Sequence, residues 1–312
     1  MVEGPAAHSG LQKDLRVAIV GGGICGLVCA IGLVRAGLQY PAREDDLGLG
    51  IHRASFLDAL VKFIDPRVTP THFNKRCTDI SVSGAERSPI VLHFSDGTTH
   101  ETDFVIGADG IKSSVRDFVV HGSSTPYVPT FTNTVAYRGL VSIEELMRAG
   151  VKSQLTPTPI CWMGDSRHII TFPIRKQQTL NVVAFVTDFS LPMGHLSLPL
   201  EEPWVVPASK DELLSQFSDW GDDARMVLQF IENPTKWSLH GLYPPLPSFV
   251  TGRVALIGDA AHAMLPHLGA GAGQGIEDSY VITRLLAHPQ ANATNLEVRV
   301  PAGPNLPPLL YL

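Results

Sequence analysis

GRVALIGDAAHAMLPHLGAGAGQGIEDSYVITRLL, the stretch from Gly252 to Leu286, decides the fold of this chain. Its apolar run Val254–Ile257 has the length and composition of a strand that is buried on both faces. Gly258-Asp259 ends the run, and a glycine-dense loop follows. Apolar positions recur at helical spacing from Ile276 onward, which predicts that a helix begins near that residue. A helix N-terminus behind a glycine loop offers unpaired N–H donors, so the stretch is typical of a site for an anionic group.

A second strand with a glycine loop occurs near the N-terminus. The apolar run Arg16–Val20 leads into GGGICG, Gly21–Gly26, and a helix of small residues is predicted over Leu27–Ala36. A strand followed by G-x-G-x-x-G and a helix is typical of dinucleotide-binding folds. The first glycine permits a tight turn, the second lets a pyrophosphate approach the backbone, and the third lets helix and strand pack closely. A glycine turn without a ligand is the alternative.

The dinucleotide fingerprint also requires an acidic residue about 20 positions later, for the ribose hydroxyls. Glu44 stands at a suitable distance, but Tyr40–Arg43 before it lacks the alternation of a strand. Glu44 is therefore either a ribose ligand or part of a solvated acidic turn. An amphipathic helix is predicted over His52–Val61. Arg53 at its start either pairs with a phosphate or carboxylate or is an ordinary surface arginine.

The middle of the chain carries a third junction between a strand and a glycine. The sequence GADGIKSSVR, Gly107–Arg116, follows an apolar run. Asp109-Gly110 ends the strand, and Ser113 or Ser114 is predicted to cap a helix. Asp109 either bonds a cofactor or only caps a turn.

Extended segments predict two further β regions. Three alternating runs predict a β-meander; they are Asp79–Val82, Ile90–Phe94 and Thr102–Ile106. The clearest elements after Ser123 are strands over Val135–Val141, His168–Pro173, Leu180–Thr187 and Lys236–Leu242 and a helix over Asp211–Phe217. We predict a mixed-sheet domain, residues 123–247, inserted between two cofactor-binding segments, residues 15–122 and 248–288. Residues 1–14 are predicted to be a flexible lead-in and residues 289–312 an irregular tail.

The composition excludes several classes of protein. Of the 312 residues 44% are hydrophobic and 17% charged, as in an ordinary globular protein. With 24 basic against 30 acidic residues, the chain has no cationic footprint for nucleic acid or an anionic membrane. The cysteines have neither disulfide nor zinc spacing, so no metal site is predicted and a reducing compartment is expected. Because neither a signal peptide nor a transmembrane segment is recognised, we expect an intracellular, cytoplasmic protein.

The three glycine-and-aspartate motifs, in this order over most of the chain, resemble the class A FAD-dependent aromatic monooxygenases, most closely their salicylate hydroxylase-like branch. The family's G-x-G-x-x-G is matched by Gly21, Gly23 and Gly26. Its middle motif GADGxxSxVR is matched by Gly107–Arg116, and its late motif, which begins GDAAH and ends ED, by Gly258–Asp278. Shorter matches to this branch are His52–Leu60, Ala136–Gly139 and Pro244–Pro247.

The resemblance implies an α/β fold of mixed α+β character: a Rossmann-like FAD-binding domain of the glutathione-reductase type with an inserted mixed β-sheet substrate domain. It implies non-covalent FAD as the cofactor. The residues implied in binding FAD are Gly21, Gly23, Ile24, Cys25, Gly26, Glu44, Arg53, Asp109, Gly110, Gly258, Asp259, Pro266, Gly269, Ala270, Gly271 and Ala272. In this assignment the first motif binds the pyrophosphate and Glu44 the adenosine ribose. The backbone of Gly269–Gly273 faces the flavin, where preorganised N–H donors stabilise the reduced anion.

The activity implied by the resemblance is hydroxylation of an aromatic ring. NADH or NADPH binds transiently and reduces the FAD, which reacts with O2 to a C4a-hydroperoxyflavin and passes one oxygen atom to a small, salicylate-like aromatic substrate. His262 and His267 are candidate catalytic residues near the flavin, or histidines that only pack. Tyr137 and Arg138 are candidates from the substrate domain, with Arg138 placed to bind a substrate carboxylate or equally to be structural. The ring substrate, the choice of nicotinamide and the oligomeric state are left open.

The chain departs from the family in two places. Only a few residues separate Glu44 from His52, where the family has further strands and helices, and the proline-rich tail Arg299–Leu312 stands where the family continues as helix. These departures indicate an internal deletion and a C-terminal truncation. The alternative function is therefore a catalytically impaired, FAD-binding remnant of such an enzyme. A strand missing beside the pyrophosphate site is expected to leave a sheet edge unpaired.

Overall fold

The computed structural model describes residues 15–35, 53–83, 88–121, 127–195, 202–288 and 291. The chain divides into two compact units. The first unit comprises Met1–Pro41, Leu57–Pro129 and Leu242–Leu312, and the second comprises Ala42–Phe56 and Thr130–Gly241. Within the described ranges, no helix combines the length and the apolar composition needed to span a membrane.

The elements in chain order are β1 (Val17–Val20), α1 (Ile24–Val34), α2 (Arg53–Val61), β2 (Cys77–Val82), β3 (Ile90–Phe94), β4 (Thr99–Thr102), β5 (Phe104–Gly107), α3 (Ser114–Val119), β6 (Pro129–Ser142), α4 (Ile143–Ala149), β7 (Ile160–Gly164), β8 (Arg167–Ile174), β9 (Thr179–Thr187), β10 (Val205–Pro207), α5 (Lys210–Gln216), α6 (Asp222–Gln229), β11 (Thr235–Leu242), β12 (Val250–Thr251), β13 (Val254–Leu256), α7 (Asp259–His262), a 3-10 helix (Pro266–Leu268) and α8 (Gly271–Ala287). Apart from two end residues, β6 to β11 and the helices between them lie in the second unit. The residues of α2 are divided between the units, and the other elements lie in the first.

A four-stranded sheet of order β1-β5-β13-β12 forms the centre of the first unit. β1, β5 and β13 run parallel, and β12 pairs antiparallel with β13. Every residue of β5 and β13 is buried. Strands that are covered on both faces are apolar at consecutive positions, which explains the uninterrupted runs Phe104–Gly107 and Val254–Leu256.

Two different layers cover the parallel sheet. On one face Ile106 belongs to a core with residues of α1 and α8. On the other face Val105 belongs to a core with residues of α3, β2 and β3. Because side chains alternate along a strand, successive residues of β5 serve the two cores in turn. This layering places α1 and α8 on the same side of the sheet.

Several boundaries differ from those predicted from the sequence; α1, for example, begins at Ile24 and not at Leu27. The run predicted as the third meander strand, Thr102–Ile106, is divided at Asp103: β4 completes the sheet β2-β3-β4, and β5 enters the parallel sheet. Asp103 accepts hydrogen bonds from the main chain and guanidinium of Arg16, directly before β1, which fixes this change of sheet. The last helix begins at Gly271 and not near Ile276. Its first turn is rich in glycine, which adds nothing to a periodic apolar pattern.

The second unit contains a six-stranded sheet of order β10-β11-β6-β9-β8-β7. The strands predicted in this region lie within β6, β8, β9 and β11, and the predicted helix corresponds to α5. Buried residues of α5 and α6, among them Leu213 and Leu228, pack on one face of the sheet with Tyr137 and Leu180. The helices therefore cover one face of this sheet.

Candidate functional site

The three glycine-and-aspartate motifs meet at one edge of the first unit. Val20, Gly107 and Leu256 stand side by side at the ends of β1, β5 and β13. Main-chain hydrogen bonds continue this alignment one residue further, from Ala108 N to Val20 O (2.7 Å) and from Ile257 N to Gly107 O (2.9 Å). All three motifs thus leave the carboxyl edge of the parallel sheet, which is the edge where open α/β sheets bind ligands.

Two glycines of the first motif are required by neighbouring backbone. A Cβ at Gly21 would stand under 3.0 Å from the carbonyl oxygen of Ala108, and a Cβ at Gly26 would stand under 3.0 Å from the carbonyl oxygen of Gly21. Gly21 also has a φ of 119°, in the region that favours glycine. Gly21 therefore lets the first motif pack directly against the second, and Gly26 lets the start of α1 pack on the turn at Gly21.

Gly23, in contrast, borders open space. Among the described residues, a Cβ at Gly23 would meet no atom within 4 Å beyond its chain neighbours. Gly23 is the N-cap of α1, which has neither a side-chain cap nor an acidic residue in its first turn. Ile24 and Cys25, also predicted to bind the cofactor, are the first two residues of this helix. Because the first N–H groups of a helix lack acceptors within it, the open space fits an anionic group.

Asp109 caps a helix. Its carboxylate accepts hydrogen bonds from Ser113 Oγ (2.5 Å) and from the main-chain N–H groups of Ser114 (2.9 Å) and Val115 (3.2 Å) at the start of α3. Ser113 is itself the N-cap of α3; the sequence predicted that either Ser113 or Ser114 would cap this helix. Gly110 follows with a φ of 79°. Of the two roles predicted for Asp109 the capping role is present, and contact with a cofactor stays a prediction.

Buried contacts join the late motif to the other two. Arg116, which is 2% exposed, donates a hydrogen bond from Nη1 to the carbonyl oxygen of Ala260 (3.2 Å). The sulfur of Cys25 fills the space where Cβ atoms of Gly258 and Gly275 would stand. A side chain larger than hydrogen at either glycine would therefore displace the start of α1 from the late motif.

The late motif leads into a second helix N-terminus without a cap. The predicted cofactor residues in this loop are Asp259, Pro266, Gly269, Ala270, Gly271 and Ala272. Asp259 is exposed at the start of α7. Ala270 is the N-cap of α8, which has neither a side-chain cap nor an acidic residue in its first turn. A Cβ at Gly269 would meet no atom of the described ranges within 4 Å, so the loop borders open space there that can receive negative charge.

Asp278 is a buried carboxylate to which the sequence analysis assigned no role. It is 7% exposed and accepts hydrogen bonds from Gly258 N (2.8 Å) and His262 Nε2 (2.6 Å). Burial acts to lower the pKa of His262, but the hydrogen bond to Asp278 and its charge outweigh burial and raise that pKa. A sequence signal existed, because Asp278 shares the buried face of α8 with Ile282 and Leu286. An acid on such a face requires a partner.

Three other predicted residues remain without a described role. His267 lies in the 3-10 helix, and its partial burial lowers its pKa. Glu44 lies outside the described residues. Arg53 begins α2, is exposed and belongs to the second unit. Their parts in cofactor binding or catalysis stay predictions.

Tyr137, predicted as catalytic, is buried on the helix-covered face of β6. Its hydroxyl donates to Glu212 Oε1 (2.7 Å), which also accepts from Lys236 Nζ (2.8 Å). Burial, the hydrogen bond to Glu212 and the charge of Glu212 all raise the pKa of Tyr137. The observed contacts are structural, and the catalytic role stays a prediction. Sequence spacing did not indicate this contact, since the two residues are 75 positions apart.

Arg138 lies on the opposite face of β6. Its guanidinium carbon is 4.9 Å from the centre of the Trp237 ring. Burial lowers its pKa, but an arginine keeps its charge. Within the described part of the chain no carboxylate forms an ion pair with it. The same face carries Phe185, which is stacked on His168 at 4.4 Å and is itself buried. The partly exposed aromatic ring beside the Arg138 charge is therefore that of Trp237.

Comparison with known families and proteins agrees with these motifs. Residues 223–295 match the FAD binding domain family. A salicylate hydroxylase of Pseudomonas putida is 47% identical over 251 residues, which are 79% of this chain and 56% of that protein. A 6-methylsalicylate 1-monooxygenase of Aspergillus terreus is 40% identical over 238 residues, which are 75% of this chain and 50% of that protein. The chain thus spans about half the length of the curated relatives that it matches.

Solved structures extend the likeness to the fold. A salicylate hydroxylase substrate complex matches with a TM-score of 0.77 at 35% identity. The match covers 91% of this chain and 82% of the chain in that complex. Klebsiella pneumoniae HpxO complexed with FAD and uric acid matches with a TM-score of 0.67 at 20% identity, over 90% of this chain and 82% of that one. At this identity the match shows a likeness of fold alone. The predicted α/β fold with a Rossmann-like FAD-binding region is confirmed. The chain belongs to the class A FAD-dependent aromatic monooxygenases, in their salicylate hydroxylase branch.

Proposed function

We propose that the chain binds FAD at the carboxyl edge of its parallel sheet and hydroxylates a small aromatic carboxylate or phenol with NADH or NADPH and O2. The observation that carries the proposal is the alignment of Val20, Gly107 and Leu256, from which three glycine-and-aspartate motifs leave one sheet edge. The names of two relatives contain salicylate and 6-methylsalicylate, and these two compounds are the first substrates to test.

The residues at this edge fit a dinucleotide. The open space beside Gly23, at the uncapped start of α1, would receive the pyrophosphate. Asp259, exposed at the start of α7, would accept hydrogen bonds from hydroxyl groups of the cofactor. The uncapped start of α8 at Gly271 would face the end of the flavin that becomes negative on reduction. FAD, when bound, supplies the hydride-accepting and oxygen-activating chemistry.

The second unit would supply the recognition of the ring. A guanidinium binds a carboxylate through two parallel hydrogen bonds, and Arg138 has no carboxylate partner within the described residues. Trp237, which is partly exposed beside Arg138, offers the flat apolar surface that an aromatic ring requires. We therefore assign Arg138 to the substrate carboxylate and leave Tyr137, on the other face of β6, a structural part in this proposal.

The overall reaction balances without a further reactant. One oxygen atom of O2 enters the ring as a hydroxyl group and the other leaves as water, with two electrons taken from the nicotinamide. The chain's own residues bind and orient the ring and hold water away from the reacting atoms. Intracellular location stays a prediction from the sequence.

The test is nicotinamide oxidation by FAD-loaded protein with and without salicylate. We expect salicylate to accelerate oxidation of NADH or NADPH, measured by absorbance. By mass spectrometry we expect a product with one new ring hydroxyl group, which replaces either a ring hydrogen or the carboxylate, released as CO2. Oxidation that salicylate and other aromatic carboxylates leave unchanged, with no hydroxylated product, would favour the alternative of an impaired FAD-binding remnant. Loss of FAD on desalting would reject both.

A further inference from the structure

Asp278 connects two segments that the proposed function places against FAD. It stands in α8, whose first turn would face the flavin, and it accepts the N–H of Gly258, directly before the exposed Asp259. Gly258 has a φ of 59°, one of several backbone conformations that are open to a glycine. The hydrogen bond of 2.8 Å from its N–H to a buried carboxylate holds the turn in this conformation.

The same carboxylate oxygen binds His262, the last residue of α7. Oδ2 of Asp278 lies 2.6 Å from Nε2 of His262, and the two side chains are 6% and 20% exposed. α7 is therefore held to α8 at both of its ends. Among the described residues, the carboxylate of Asp259 also acts on the imidazole, and the ring of Phe249 lies nearly perpendicular to it with a distance of 6.1 Å between the ring centres.

We propose that Asp278 is a positioning residue of the flavin site, which fixes the turn Gly258–His262 against α8 and couples FAD affinity to the charge of His262. The inference rests on the proposed function. A protonated His262 gives a charge-assisted hydrogen bond, and a neutral ring gives a weaker one. Fixing the two segments before the cofactor arrives lowers the cost of ordering them on binding.

The sign of the pH effect follows from the raised pKa of His262. The ion pair is complete below the ordinary pKa of histidine, about 6.5, and is lost as the pH rises through the raised value. FAD affinity of the wild-type chain should therefore decrease from about pH 6 to about pH 9, and this decrease should require both Asp278 and His262.

The test compares FAD titrations of the wild-type chain, Asp278→Asn, His262→Gln and the double variant across this pH range. We expect Asp278→Asn to weaken binding by about tenfold or more, the loss of one charged hydrogen bond. His262→Gln should weaken it less, because Gly258 keeps its acceptor. Both variants should lose the decrease with pH, and the double variant should bind no worse than Asp278→Asn.

The matched control is Glu277→Gln, which removes the same charge one position earlier from an exposed side chain of α8. It should bind FAD as the wild-type chain does, with the same pH profile. Equal affinities and profiles for Asp278→Asn and Glu277→Gln would overturn the inference. Should Asp278→Asn not fold, His262→Gln decides, because a pH profile identical to that of the wild-type chain would overturn it.

Hydrogen exchange of the apoproteins separates this inference from the proposed function. Without FAD in the sample, amides of the turn Gly258–His262 should exchange faster in Asp278→Asn than in Glu277→Gln. A wild-type chain that takes up no FAD would reject the proposed function, and the exchange rates would still decide whether Asp278 holds the turn. Equal rates in the two variants would reject that role.

Discussion

The α-carbon of Gly21 faces the carbonyl oxygen of Ala108 so closely that an added Cβ would stand under 3.0 Å from it. The two residues are 87 positions apart in the chain, yet each directly follows the end of a strand in the same parallel sheet. This contact brings the first motif onto the second, and it explains why the position tolerates only a hydrogen atom.

Substituting Gly21 by alanine should destabilise the first unit. The methyl group meets main-chain atoms that cannot rotate away, and φ is 119°. We expect Gly21→Ala to lower the free energy of unfolding by about 2 to 4 kcal/mol in a denaturant titration of the apoprotein. Gly22→Ala is the control, because a Cβ there meets no atom within 4 Å in the part of the chain that the structure describes. Equal stability of the two variants would contradict the close approach.

Substituting Gly23 should affect binding and leave folding intact. Its Cβ would point into the open space at the start of α1 that the proposal gives to the pyrophosphate. We expect Gly23→Ala to change the free energy of unfolding by no more than about 0.5 kcal/mol. FAD affinity should nevertheless fall about tenfold or more, since a methyl group displaces a phosphate from the N–H donors. A variant that binds FAD as tightly as the wild-type chain would place the pyrophosphate elsewhere.

Substituting Arg138 should affect carboxylate substrates selectively. We expect Arg138→Met to raise KM for salicylate by about tenfold to a hundredfold, the loss of a charged, bidentate hydrogen bond. KM for phenol, which has no carboxylate, should change little. Arg148→Met, in an exposed pair on α4, is the control and should leave both constants unchanged. A similar rise for phenol and salicylate would show that Arg138 does not recognise the carboxylate.

Glu212 should contribute to stability in an acid-sensitive way. The hydrogen bond from Lys236, and then that from Tyr137, lower its pKa. A carboxylate with a lowered pKa stabilises the fold above its unfolded pKa, and the contribution is lost as the pH falls through the lowered value. The stability difference between the wild-type chain and Glu212→Gln should therefore be about 1 kcal/mol near neutral pH and shrink below about pH 4. Glu232→Gln, at an exposed position, should show no such trend.

Local patterns predicted the parts of the fold that are local. The run Arg16–Val20 with its glycines corresponds to β1 and α1, and the run Val254–Ile257 to β13, whereas the short helix α7 was not predicted. The start of α8 was predicted five residues late, because Gly271, Gly273 and Gly275 carry no apolar signal. The meander was extended into β5, because nothing in an apolar run marks the residue at which a strand changes sheet.

The contacts that complete the site are between residues distant in sequence. Asp278 meets Gly258 across 20 positions, and Tyr137 meets Glu212 across 75. Spacing and periodicity within one element do not indicate such pairs, although an acid on the buried face of α8 indicated that a partner exists. The domain boundaries stay predictions, and the roles of the site residues are predictions that the variants above can test.

The central claim is that the three motifs at the carboxyl edge of the parallel sheet bind a single flavin. The visible absorption spectrum of the purified chain, taken after incubation with FAD and desalting, tests this claim most directly. We predict a yellow protein that retains about one FAD per chain, as a single family site requires. A colourless protein whose circular dichroism still shows the folded α/β structure would contradict the claim.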